Sequence, residues 1–202
     1  LYVVLPRGLL ALGADLRARW LARHFPLSLD EPYFQRLARQ QRGDVARVRI
    51  QPYAWTPGEP AAAWLQHALA PILGDGLHVD LAPDAPFGAE DEASEPIPTG
   101  TTHVVVLFDL AATPEPEHHG RFLRALAART AQGVPTVVMV DETSFSRRFG
   151  RDSTRLVQRR DAWRQFTAAL GSVPVYIDVD APDPGATGPA IQLALRNPVT
   201  PS

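Results

Sequence analysis

Acids stand at the ends of three apolar runs. Asp109 closes HVVVLFD, Asp141 and Glu142 close PTVVMVDE, and Asp178 with Asp180 closes VPVYIDVD. Carboxylates are hard oxygen ligands, and beside hydroxyls such as Thr113 and Thr143 they could hold Mg²⁺ or hydrogen-bond a ribose. Asp109, Thr113, Asp141 and Thr143 are therefore the candidate ligand crevice. The same residue types also suit turns and helix caps, so a purely local role competes with the ligand role.

A second set is basic. In SRRFGRDSTRLVQRRDAWRQF, Arg147, Arg151, Arg155 and Arg159 recur every four residues, which on one helix makes a single positive face. Like charges at that spacing repel. Anionic lipid, an acidic partner or the chain's own acidic stretch, with five acids between residues 84 and 95, would relieve them. These four arginines are the candidate interaction surface. Trp163 and Phe166 fall on the core side of the same helix, so no aromatic platform for nucleic acid is expected.

Other chemistries find less support. The chain has no cysteine and no lysine, which removes thiolate chemistry, cysteine metal cages and any phosphate-loop lysine. His118 and His119 are adjacent, whereas a metal pair on a helix needs spacing of three or four, so both read as surface residues. DETSFS lacks the register of an adhesion-domain cation loop, because Phe145 stands where a hydroxyl is required. DLAAT after Asp109 resembles a phosphoaspartate loop only in outline. No metal and no cofactor is expected, and an enzyme is the less favoured reading.

Charge is arranged in blocks within a net of -2. Residues 1–50 hold nine arginines and four acids, residues 51–120 eleven acids and no arginine, and residues 121–202 eleven arginines and seven acids. A basic block after the apolar opening LYVVLPRGLLAL fits a cytoplasmic juxtamembrane segment, and it equally fits a helix with solvated arginines. The opening Leu1 suggests a piece of a longer protein. Residues 1–43 are read as a helical juxtamembrane preface, with helices over 8–24 and 32–40. Residues 44–202 are read as one α/β domain.

Within that domain, strands are expected near residues 48, 79, 106, 138 and 176, in one sheet with helices on both faces. Unalternating valine and leucine runs signal burial on both sides, as in a mostly parallel, three-layer, Rossmann-like or GTPase-like sheet. Helices are expected at about 61–72, 117–132, 152–170 and 189–196. PDAPFGAEDEASEPIPTG has no periodicity, so a mobile acidic loop is expected at about 83–100. With no helix between them, the strands at 77–81 and 103–110 are expected to pair antiparallel.

The order strand, turn, helix, two strands and then repeated helix and strand resembles the small GTPase-like fold, without its motifs. Set on G-x-x-x-x-G-K-[ST] through Gly58, the sequence has Tyr53 for the first glycine, Glu59 for the lysine and Pro60 for the hydroxyl. Thr56-Pro57-Gly58-Glu59 instead fits a helix capping box. The guanine-reading N-K-x-D position reads Asp141, Glu142, Thr143, Ser144. Taken with LPRGLLAL, DEPYFQRL, VVVLFDL and RRDAWRQF, the chain is similar to the cytoplasmic part of a bacterial membrane-protein family catalogued as domain of unknown function 2868. That resemblance implies the cytoplasmic face of a bacterial inner membrane, membrane attachment through the parent protein, and a protein partner of the GTPase kind. It implies no catalytic residue. The expected function is a non-catalytic interaction or regulatory domain. The alternative is a small-ligand or Mg-dependent enzyme or sensor using the strand-end acids. A deep polar pocket there would favour the alternative, and a crevice filled by Trp55 or Pro57 the first reading.

Overall fold

Apolar runs become strands wherever both of their faces can be covered. The computed structural model describes residues 45–88, 96–130 and 134–199, and the expected preface over 1–43 lies outside them. Five strands form: β1 (Arg47–Pro52), β2 (His78–Leu81), β3 (His103–Asp109), β4 (Thr136–Asp141) and β5 (Val175–Ile177). They make one sheet in the order β2-β1-β3-β4-β5, and every neighbouring pair is parallel. β4 is buried throughout and β3 nearly so, as their unbroken apolar sequences require. The order is that of a doubly wound sheet, whose winding reverses between β1 and β3.

Helices cover both faces, giving the three-layer, Rossmann-like arrangement. On one face α1 (Glu59–Leu73) and α5 (Pro184–Arg196) pack Leu65, Leu69, Ile191 and Ala194 against Val48, Ile50, Val105, Leu107 and Met139. On the other, a π-helical turn (Pro116–Gly120) leads into α2 (Arg121–Arg129), followed after β4 by α3 (Thr143–Phe149) and α4 (Thr154–Ala168). Phe122, Leu123, Leu126, Leu156 and Trp163 there bury against Val104, Val106, Phe108, Val138 and Val140. Each such side chain contributes about 1.5–3 kcal/mol by leaving water.

The expected antiparallel pair does not form. β1 lies between β2 and β3 and bonds in parallel to both, with Arg49 opposite Asp80 on one side and Val104 on the other. A parallel return needs enough chain to travel back along the sheet, and residues 82–102 supply it without a helix among the described residues. The two ends of this connection are tied down. The Ala85 amide donates to Pro52 O at 3.0 Å, the Ala54 amide to Ala85 O at 2.7 Å, and the Thr102 amide to Arg47 O at 2.8 Å. Residues 89–95, which carry four of the five loop acids, lie outside the described residues. On the α2 side β1 carries two buried polar side chains, and both are engaged: Arg49 pairs with Asp80, and Gln51 donates to Pro83 O at 2.8 Å.

Helix starts differ from expectation in three places. Gly58, extended at φ -64° and ψ 157°, is the N-cap of α1, so the Thr56 capping box does not form and the Thr56 hydroxyl donates to Asp84 at 3.2 Å instead. Pro60 in the first turn has no amide for a cap to satisfy. α5 begins at Pro184 because the Asp183 side chain accepts from the Ala186 amide at 3.1 Å. The helix expected over 152–170 is preceded by the separate α3. Gly150 at φ +86° ends α3, and the Ser153 hydroxyl caps α4 through the Leu156 amide at 3.2 Å.

Candidate functional site

Parallel register carries the strand-end acids to one edge of the sheet. Asp109 lies opposite Asp141, and Asp141 lies opposite Ile177, which is followed directly by Asp178. Each acid is engaged there. Asp109 Oδ1 accepts from the Ala111 amide at 3.0 Å and from the Ser144 hydroxyl at 3.1 Å. Asp141 is buried and accepts from the Thr143 amide at 2.8 Å, while the Thr143 hydroxyl accepts from the Val179 amide at 2.8 Å. Buried Glu142 takes both arms of Arg160, one at 2.7 Å. Asp178 accepts from Arg151 at 2.9 Å, and Asp180 binds Arg147 through two nitrogens, one at 2.7 Å. Among the described residues no three histidine or acidic side chains come together as a metal site.

Electrostatics divide these acids. Burial pushes the Asp141 carboxyl above its ordinary value, the Thr143 hydrogen bonds oppose this, and the charges of Asp109 and Asp178 add to the rise. The hydrogen bond from Arg147 holds Asp180 below the usual carboxylate value. Burial also pushes Tyr176 up to about 12, and Arg160 stacks over its ring at 5.5 Å.

The candidate crevice is only partly assembled. Asp141 and Thr143 line a cleft of about 300 Å³ with Trp55, Gly58, Ser144 and Val179, and the Arg147–Asp180 pair forms its rim. Pro57 is buried, and Trp55 walls this cleft. Asp109 reaches the group through Ser144. Thr113 does not join it, because its hydroxyl accepts from Arg159 at 2.9 Å on the other side of α3.

The four arginines do not share one helix face. Arg147 belongs to α3, Arg151 to the turn after Gly150, and only Arg155 and Arg159 to α4. The described partners of Arg147 and Arg151 are the strand-end acids Asp180 and Asp178, not acids of the loop. Arg155 and Arg148 sit over the Phe149 ring at 5.2 and 5.1 Å. Arg148, Arg155 and Arg159 form no ion pair among the described residues, and together with Ser144, Phe149 and Gln158 they line a cleft of about 520 Å³ between α3 and α4.

His119 departs from its expected place, and Arg160 and Arg148 are two functional residues that the four-residue spacing passes over. His119 is not at the surface: only 3% exposed, it accepts from the Glu115 amide at 3.2 Å and is boxed by Tyr53, Phe108 and Trp163 at centroid distances of 5.2 to 5.3 Å. Arg160, unremarked in the four-residue spacing, makes the two-pronged pair with Glu142. Arg148 was hidden by the same spacing. Its signal was the glycine stop at Gly150 followed by the Ser153 cap, which resets the helical phase between Arg148 and Arg155.

No protein-family model matches the chain, and no curated protein matches it.

Proposed function

We propose that this chain is a non-catalytic interaction or regulatory domain of a bacterial inner-membrane protein. It would act at the cytoplasmic face through a protein partner, a GTPase being the kind that the family resemblance implies. The observation that supports this is how charge is distributed at the sheet edge. The strand-end acids that a cation or ribose would need are bound by the chain's own arginines, hydroxyls and amides, while Arg148, Arg155 and Arg159 face outward without carboxylates. Unneutralised guanidiniums on an exposed face favour a negatively charged partner and speed its approach. The membrane placement rests on the resemblance and on the basic N-terminal block. Among the described residues, no helix is long and apolar enough to cross a bilayer.

One observation favours the second reading, a ligand sensor or Mg-dependent enzyme. Asp141 and Thr143 line a cleft walled by Trp55 at the carboxyl end of the sheet, where doubly wound folds bind their ligands.

The test is capture of partners by the membrane-attached parent protein, comparing wild type with Arg148→Glu/Arg155→Glu. A partner that is then purified should bind the wild type directly, with affinity falling as salt rises, and bind the variant weakly. Equal direct binding by both proteins would refute the proposal, and loss of binding on Asp141→Asn instead would favour the second reading.

A further inference from the structure

We infer that the cleft between α3 and α4 is a binding site for a concentrated phosphate anion, a pyrophosphate or similar polyanionic group. The inference names the chemistry of the arginine face on which the interaction reading rests. Six arginines lie on or beside α3 and α4 near the strand ends, and they fall into two sets. Arg147, Arg151 and Arg160 are held by Asp180, Asp178 and Glu142. Arg148, Arg155 and Arg159 take no carboxylate among the described residues and converge on one cleft of about 520 Å³, a volume within the range of small-molecule sites.

These three are also positioned in advance. Arg148 and Arg155 both rest on the Phe149 ring, at 5.1 and 5.2 Å, which restrains both side chains. Arg159 is fixed by its bond to Thr113 Oγ1 at 2.9 Å. Ser144 and Gln158 add a hydroxyl and an amide to the lining. Arg155 and Arg159, one helical turn apart, repel each other until an anion lies between them. Guanidinium forks match phosphate oxygens two at a time. A single side-chain carboxylate carries one charge, whereas pyrophosphate concentrates several in the space of one cleft. Phosphate is therefore the better match to three guanidiniums sharing one concave site.

The experiment is calorimetric titration of the full chain with inorganic pyrophosphate at low salt, with amide chemical shifts followed by NMR. Binding tighter than about 1 mM is expected, with shifts centred on residues 144–149 and 155–162. Arg148→Gln/Arg155→Gln should weaken binding by about tenfold or more. Its thermal midpoint should fall by no more than about 4 °C, since neither arginine makes an ion pair among the described residues and only their contacts with the Phe149 ring are lost. The NMR map serves the same purpose without a variant. Vesicles containing phosphatidic acid form the second arm. Sedimentation with them that pyrophosphate competes away assigns the phosphate to a lipid headgroup, and pyrophosphate binding alone assigns it to a soluble ligand. No heat and no shifts with pyrophosphate overturn the inference, as does binding that the double variant leaves intact or tighter binding of polyglutamate. If pyrophosphate fails while a purified protein partner still needs Arg148 and Arg155, the interaction reading survives and the phosphate assignment falls.

Discussion

Replacing Arg160 by methionine tests whether the Glu142 pair holds α4 against the strand ends. Methionine keeps most of the aliphatic stem and its packing, so the change removes mainly the guanidinium. Glu142, with its side chain only 7% exposed, then loses both charge-assisted hydrogen bonds. Stranding a fully buried charge costs roughly 3–5 kcal/mol. Arg160 is 36% exposed, so water can reach the carboxylate once the guanidinium is gone, and the cost should fall to about 2 kcal/mol. Losing the stack on Tyr176 adds about 0.5 kcal/mol. At about 2–4 °C per kcal/mol for a domain of this size, the thermal midpoint should drop by roughly 5–10 °C. Glu142→Gln alone should cost less, about 1 kcal/mol, because the freed Arg160 can turn to solvent. A double-mutant cycle in urea should give coupling on the order of 1 kcal/mol. Additivity within about 0.3 kcal/mol, or a loss below about 0.5 kcal/mol for Arg160→Met, would refute a structural role for the pair.

Asp141→Asn should stabilise the protein at neutral pH, because it removes a desolvated charge and keeps an acceptor for the Thr143 amide. The native carboxyl holds its proton above the unfolded value of 3.8, so the wild type loses stability as pH rises through that window, and the advantage of asparagine should shrink toward pH 3.8. An advantage independent of pH would contradict the burial argument. Gly150→Ala forces a side chain onto φ +86° and should cost about 1–2 kcal/mol, while Ser153→Ala should cost about 1 kcal/mol by uncapping α4. Both are read from chemical denaturation, and a neutral Gly150→Ala would remove the reason for the break between α3 and α4. Mg-GTP and Mg-ATP should not bind in the phosphate-loop manner, for the chain has no lysine and Gly58 caps α1 with no side-chain hydrogen bond. A ligand at a hundred times its dissociation constant adds about 2.7 kcal/mol, so thermal shift would reveal it. Any triphosphate binding should be indifferent to the base and to Gly58→Ala, and should disappear in Arg148→Gln/Arg155→Gln.

Local pattern alone determined which segments are strands and which faces are buried. VVVLFD and TVVMVD are apolar at successive positions, and such a run is stable only with a layer on each side, so the three-layer sheet was legible without coordinates. The acids at the ends of those runs were legible too, since a parallel sheet brings its carboxyl ends to one edge. Tertiary structure decided what no local pattern encodes. The neighbour of β2 depends on which strand edge the chain can reach from Leu81, and β1 satisfied its hydrogen bonds from both sides, which left β3 no room beside β2. Four-residue spacing put Arg147 to Arg159 on one helix, yet the positive φ of Gly150 and the Ser153 cap rotated them onto different surfaces. Which arginines are neutralised follows from distances between residues far apart in the chain, as with Arg160 and Glu142 or Arg151 and Asp178. Spacing within one segment records helical phase, whereas ion pairing depends on where two segments are brought together, and only the folded chain specifies that.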